Sequence, residues 1–168
     1  MRNIKILMVC LGNIFRSPLA QGILHSKIKK NAFIDSAGTA PYHIGRSPDP
    51  RRILVAKEKG IDISNYKARK FIKEDFKKFD FIYVMDNTNF ENIISIADSK
   101  EDRDKVSLIH PLNKEVLDPY HGDKKDFKVC SISSDTATFS QSILSTALVK
   151  FKLPSCIMSL IDITPEAS

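Results

Sequence analysis

A three-layer α/β sandwich, with a four-stranded parallel sheet and helices on both faces, is predicted by three features of this 168-residue chain. Apolar, β-rich runs alternate with segments of helical period, as repeated βαβ units require. The runs are nearly continuous rather than alternating, the pattern of strands buried on both faces, and the links between elements are short. A composition of 42% apolar and 27% charged residues is that of an ordinary globular domain long enough to bury a proper core.

Taken in order, Ile4 to Val9 is the first strand and stops at Cys10-Leu11-Gly12-Asn13. Ser17 to Lys30 carries Leu19, Ile23, Leu24 and Ile28 at helical spacing, with Pro18 suited to a first turn. Ala32 to Ser36 is a short second strand, turned by Ala37-Gly38-Thr39. Residues 39–51 hold Pro41, Gly45, Pro48 and Pro50 and form an ordered loop. Asp49-Pro50 opens a helix that Gly60 stops. Phe79 to Met85 is the third strand, Asn87 to Ala97 a helix, and Val106 to Ile109 the fourth strand, with Asp118-Pro119-Tyr120 in a loop beyond it. Phe139, Ile143, Ala147 and Phe151 recur every fourth residue and predict a last amphipathic helix, ended by Pro154. The organisation is one domain over residues 1–151 and a C-terminal tail, 152–168, with no assigned element. Residues 129–168 hold nine serines but two lysines, so nearly all the positive charge lies upstream.

The net charge of +6 suits an anionic partner. The basic clusters Lys27-Lys29-Lys30 and Lys67-Arg69-Lys70-Lys73 carry no nucleic-acid-binding signature, so nucleic acid is not expected. No apolar run approaches the ~18 residues that span a bilayer, and no membrane partner is expected. The N-terminus has no secretory pattern. Three cysteines, Cys10, Cys130 and Cys156, are odd in number and lack metal-ligand spacing. They read as free thiols in a reducing cytoplasm, with no metal and no cofactor.

The chemistry is concentrated in Cys10-Leu11-Gly12-Asn13-Ile14-Phe15-Arg16-Ser17, between a strand and a helix. A phosphoryl group carries up to two charges and needs many donors together. A loop wound onto a helix N-terminus supplies converging N–H groups and the positive end of the helix dipole. Gly12 is expected to permit that backbone path, and the planar fork of Arg16 matches two phosphoryl oxygens. An ordinary thiol, with pKa near ~8.5, is only slightly ionised at neutral pH, and such surroundings lower thiol values to roughly 4–7. Cys10 is therefore the expected nucleophile, and Ser17 can donate its hydroxyl to the thiolate. An aryl oxygen leaving phosphorus needs a proton from a carboxylic acid. Asp118, stiffened by Pro119 and beside the aromatic Tyr120, is one candidate, although Asp-Pro is also an ordinary turn.

These residues, read together, resemble the low-molecular-weight protein tyrosine phosphatases. Val9-Cys10-Leu11-Gly12-Asn13-Ile14-x-Arg16-Ser17-Pro18 is similar to the family's phosphate loop. Ser36-Ala37-Gly38-Thr39, Gly45-x-x-Pro48-Asp49-Pro50-Arg51, Phe79-Asp80, Val84-Met85-Asp86 and Leu117-Asp118-Pro119-Tyr120 follow in the family's order. The resemblance covers residues 4–127 closely and 129–150 more weakly. It implies hydrolysis of phosphotyrosine in proteins, and of aryl phosphates, through a phosphocysteine. Cys10 would be the nucleophile, Arg16 the phosphate clamp and Asp118 the general acid and base. The amides of Leu11, Gly12, Asn13, Ile14, Phe15 and Arg16 would hold phosphate or another oxyanion. Asn13 would shape the loop, Ser17 would support the thiolate, and Tyr42 and Tyr120 would wall the substrate ring. Isoleucine at Ile14 is usual in tyrosine-specific members, whereas relatives acting on phosphoarginine tend to carry threonine. No cofactor is implied.

The chain departs from the family's pattern at three places. Phe15 replaces the second cysteine that in many members captures the oxidised nucleophile, so Cys10 is expected to pass beyond sulfenic acid more readily. Asn65-Tyr66 stands where many members carry a histidine, in the region that supports the loop's polar network. His121 stands where a second tyrosine often follows the first. Two other functions use related features. Thiol-dependent arsenate reduction would need Cys130 or Cys156 to relay a disulfide. A silent phosphotyrosine-binding module would need neither Cys10 nor Asp118.

Overall fold

The run Ile4–Cys10 forms β1, the strand on which the sheet is centred. It pairs in parallel with β2 (Ala32–Gly38) on one side and with β3 (Phe81–Val84) on the other. β4 (Val106–Leu108) adds to β3, giving the order β2-β1-β3-β4, parallel throughout. The computed structural model describes residues 3–28, 32–110, 114–116 and 118. Tyr120, the helix expected through Phe139–Phe151, the tail 152–168, and Cys130 and Cys156 lie outside the described residues.

Alternate residues of β1 point into two cores. Ile6, Met8 and Cys10 pack with Ala20 and Leu24 of α1 (Arg16–Lys27), and with Phe81, Tyr83 and Met85. Leu7 and Val9 face the other way. They pack with Phe76 of α3 (Glu74–Lys78) and Ile93 of α4 (Asn87–Ile94). Burial on both faces is why β1 reads as a continuous apolar run. Full burial of each such side chain contributes roughly 1.5–3 kcal/mol. A third cluster joins Leu19 and Ile23 of α1 to Ala56 of α2 (Pro50–Glu58) and to Ile63, so α1 is buried on two sides. The three-layer α/β sandwich is thus as expected.

Element boundaries follow local chemistry. α1 ends at Lys27 rather than Lys30, because Ile28 turns to extended backbone while its N–H still bonds Leu24. β2 runs on to Gly38, since Val9 and Cys10 continue to pair with Ala37 and Gly38. β3 is shorter than expected: Phe79 caps α3, its N–H on the Asp75 carbonyl, rather than starting a strand. α4 stops at Ile94, and Ile96 and Ala97 continue in single turns. Two five-residue helices have no counterpart in the sequence reading, α3 and α5 (Lys100–Asp104). Helices this short show no period, though Ser99 and Asp102 form a capping box that opens α5.

This topology places the phosphate-loop candidate at the carboxyl end of β1. The chain leaves β1 for β2 on one side and returns to β3 on the other, which opens a crevice at the strand ends. Gly38 closes against it: a Cβ there would lie 2.7 Å from the Leu11 carbonyl oxygen. No helix among the described residues is long and apolar enough to cross a membrane.

One buried group is poorly served by this core. The Tyr83 ring stacks on Phe81, with centroids 6.2 Å apart, but its buried hydroxyl has no hydrogen-bond partner among the described residues. Burial raises its pKa well above that of an ordinary phenol. A buried unsatisfied hydroxyl costs about 1–3 kcal/mol. Tyr83→Phe should therefore raise unfolding free energy by about 1 kcal/mol in urea titration, whereas a loss of stability would reveal a partner for the hydroxyl.

Candidate active site

Residues 11–15 bridge β1 and α1 as an arch held from outside. The carbonyls of Cys10, Leu11 and Ile14 accept from the N–H groups of Thr39, Ala40 and Asp49, at 2.9 Å each. In a trans peptide the carbonyl and the following N–H point oppositely. The N–H groups of Leu11, Gly12 and Phe15 therefore turn into the arch, toward the first turn of α1. That helix has no side-chain cap and no acidic residue in its first turn, leaving its N–H groups and dipole open to an anion.

The tight turn falls on Asn13, not on Gly12. Asn13 has φ 55°, in the left-handed region that asparagine tolerates, while Gly12 has no positive φ. Gly12 serves by lacking a side chain: a Cβ there would meet His43 Cδ2 at 2.9 Å. Asn13 is 2% exposed and all its amide hydrogen-bonding groups are used. Its Oδ1 accepts from the Arg69 backbone N–H at 2.9 Å, and its Nδ2 donates to Ser17 Oγ and Ser36 Oγ, both at 2.9 Å. The Arg69 N–H can only donate, so it fixes which end of the amide is oxygen.

That orientation sets the hydrogens around Cys10. Ser17 Oγ receives from Asn13 and has two acceptors for its single hydrogen, Cys10 Sγ at 3.0 Å and the Ala37 carbonyl at 3.5 Å, of which the sulfur is the nearer. The Asn13 backbone N–H adds a second donor at 3.3 Å. On the far side, Ser36 passes its hydrogen to Gln21 Oε1 at 2.7 Å. The network is complete without the histidine absent at Asn65-Tyr66. Arg69, which holds Asn13, is itself held by Asp75 and Asp35. Burial alone would pull the Arg69 guanidinium down, but these two carboxylates keep it above its ordinary pKa.

Arg16 sits at the rim with 3% of its side chain exposed. Its Nη1 donates to Asp86 Oδ2 at 2.7 Å and to the Val116 carbonyl at 2.8 Å, and its Nη2 meets Asp118 Oδ2 at 2.8 Å. Its Nε is buried and has no partner among the described residues. Asp86 also caps α4, its Oδ1 accepting from Asn89 N–H. Asp118 reaches Arg16 because the preceding segment is tied to the end of β3, with Val116 N–H on the Met85 carbonyl.

The structure brings Cys10, Arg16, Ser17, Asn13 and Asp118 together. The Phe15 ring is buried, with the Arg51 and Arg52 guanidinium carbons 5.0 and 5.1 Å from its centroid. Ile14 is half-buried, while Leu11 is exposed at the outer edge and Tyr42 stands on the neighbouring loop, 71% exposed. Asp86, Ser36, Gln21 and Arg69 carry no assigned role in the sequence reading. Asp86 and Ser36 had a signal, since each belongs to a short motif quoted there. Among the described residues no three His, Cys, Asp or Glu side chains are grouped to hold a metal ion.

A family model of low molecular weight phosphotyrosine protein phosphatase matches residues 5–143. The low molecular weight phosphotyrosine protein phosphatase of Schizosaccharomyces pombe is 38% identical over 156 residues, covering 86% of this chain and 97% of its own. Among solved structures, a protein tyrosine phosphatase from Entamoeba histolytica, with Hepes in its active site, superposes with TM-score 0.77 at 32% identity. That match covers 90% of this chain and all of the other. Vibrio vulnificus Wzb in complex with benzylphosphonate gives TM-score 0.71 at 30% identity, over 89% of this chain and 99% of its own. A match spanning sheet, phosphate loop and most of the sequence means that the chain belongs to the low molecular weight phosphotyrosine protein phosphatase family.

Proposed function

We propose that this protein hydrolyses phosphotyrosine in proteins, and aryl phosphates generally, through a phosphocysteine formed on Cys10. The observation that carries this reading is the sulfur of Cys10, facing two donors beneath an arch of inward amides, with Arg16 and Asp118 paired at the rim. A reducing cytoplasm suits such a free thiol.

In the first step the thiolate attacks phosphorus in line, the S–P bond forms and the P–O(aryl) bond breaks. The inward amides and Arg16 hold the equatorial oxygens, where charge is spread in the transition state. The unused Nε–H of Arg16, with Nη2 once Asp118 leaves it, forms the two-pronged grip. Asp118, protonated, gives its proton to the departing phenolic oxygen. In the second step water attacks phosphorus, Asp118 takes a proton from it, and the S–P bond breaks to return thiolate and phosphate. Ser17 lowers the energy of the departing thiolate. Asp86 acts through Arg16 as a positioning residue, anchoring Nη1 so that Nε and Nη2 face the phosphoryl group.

Hydrolysis of p-nitrophenyl phosphate by reduced protein, with chelator present, should be abolished by Cys10→Ser; a folded, reduced protein without turnover would refute the catalytic reading. Asp118→Asn should lower kcat by about 10²–10⁴-fold for poor leaving groups and much less for activated ones, measured across a series of aryl phosphates. Ser17→Ala removes a hydrogen bond to a charged group and should slow turnover by about 10–100-fold, with breakdown of the phosphoenzyme affected most. Asp86→Ala should raise the KM for aryl phosphate and lower kcat, with Asp86→Asn recovering part of both, because an amide oxygen still accepts from Nη1.

A further inference from the structure

Residues 39–49 run beside the phosphate loop and are fastened to it at both ends. Thr39 and Ala40 bond Cys10 and Leu11 at one end, Asp49 bonds Ile14 at the other, and the His43 ring lies on Gly12 between them. From the outer side, residues 66–71 hold this segment in place. Gly45 N–H donates to the Ala68 carbonyl, Ala68 N–H donates to the Arg46 carbonyl, and Lys67 Nζ bonds Ser47 Oγ at 2.9 Å. The side chains that stand out from the segment are therefore on a braced backbone at the mouth of the loop.

Those side chains have a definite chemistry. Tyr42 is 71% and Ile44 58% exposed, and Leu11 beside them is 40% exposed. Exposed apolar residues grouped at the rim of a polar site mark a surface that another molecule covers. Arg46 and Lys67 stand exposed next to them, and neither has a carboxylate partner among the described residues. Arg51, in the first turn of α2, and Arg69, within residues 66–71, are by contrast neutralised, by Asp49 and by Asp35 with Asp75. The hydrogen bond from Arg51 holds Asp49 below the usual carboxylate range. Two unneutralised cations beside an apolar ridge complement an acidic polypeptide with an apolar residue.

We propose that Leu11, Tyr42, Ile44, Arg46 and Lys67 form a docking surface for the polypeptide flanking the phosphotyrosine, selecting substrates with acidic residues and one apolar residue near the modified tyrosine. The inference rests on the phosphatase reading above and names its substrate class. The apolar neighbour packs on Tyr42 and Ile44, while the acidic side chains meet Arg46 and Lys67. Since the cations lie on the rim, they act on association and on KM, and their effect falls as salt rises.

The test compares two phosphotyrosine peptides, identical in their apolar residue but flanked by aspartate in one and lysine in the other, with p-nitrophenyl phosphate as a substrate that has no flank. The intact protein should favour the acidic peptide by about tenfold in kcat/KM at low salt, and by much less at high salt. The double variant Arg46→Glu with Lys67→Glu should remove or reverse the preference and leave p-nitrophenyl phosphate turnover within about twofold. Equal rates on the two peptides would overturn the inference. So would an equal loss on peptides and p-nitrophenyl phosphate in the double variant, which would assign the cations to phosphate or another small anion. Failure of the intact protein to turn over p-nitrophenyl phosphate would overturn the phosphatase reading and this inference with it. Turnover without a flank preference would overturn this inference alone.

Discussion

The orientation of one buried amide, that of Asn13, governs the chemistry at the end of β1. Its oxygen is held by a backbone N–H of Arg69, so its nitrogen must donate to both serines. Ser17, receiving one hydrogen, has only its own left, with the sulfur of Cys10 3.0 Å away and the Ala37 carbonyl farther off at 3.5 Å. A buried polar network in which every member is satisfied has one arrangement and is rigid for that reason. The left-handed backbone of Asn13 is held by the same three bonds, so the strain of the turn and the direction of the hydrogen bonds are maintained together.

Around this centre the fold acts as a clamp. The sheet provides β1 with pairing on both edges, and α1 is buried against sheet and α2, so neither end of the arch can drift. Three outward carbonyls are tied to the 39–49 segment, and the inward amides follow from that attachment. Arg16 is positioned with similar economy. Asp86 holds one nitrogen, Asp118 another, and the third has no partner among the described residues. A buried guanidinium needs such partners, because an unpaired one would cost several kcal/mol. The pairing with Asp118 also keeps the proposed acid within reach of the group it serves.

Local features were legible in the sequence, and distant ones were not. Cys10, Arg16 and Ser17 lie within one strand-loop-helix unit, where spacing and residue type point to oxyanion chemistry without knowledge of the rest. β1 and β3 were visible because burial on both faces leaves continuous apolar runs, whereas β2, interrupted by Asp35 and Ser36, and the three-residue β4 are only partly buried. Gly12 was expected to permit the loop's backbone path, but the left-handed residue is Asn13, whose side chain has three bonds to make there. Ser36, Arg69 and Asp86 act across separations of 23, 56 and 70 residues, and nothing local announces such contacts. The role of Asp118 came from the order of motifs, since an Asp-Pro pair alone is an ordinary turn. α3 and α5 went unread because five residues are too few to show a period.

The most direct measurement is to look for the phosphoryl group on the enzyme. Acid quench of the Asp118→Ala variant during turnover of an aryl phosphate, followed by mass spectrometry of the peptide containing Cys10, should find one phosphoryl group on that cysteine. The label should disappear when substrate is exhausted. Turnover with no phosphorylated Cys10, or with the label on another side chain, would contradict the account.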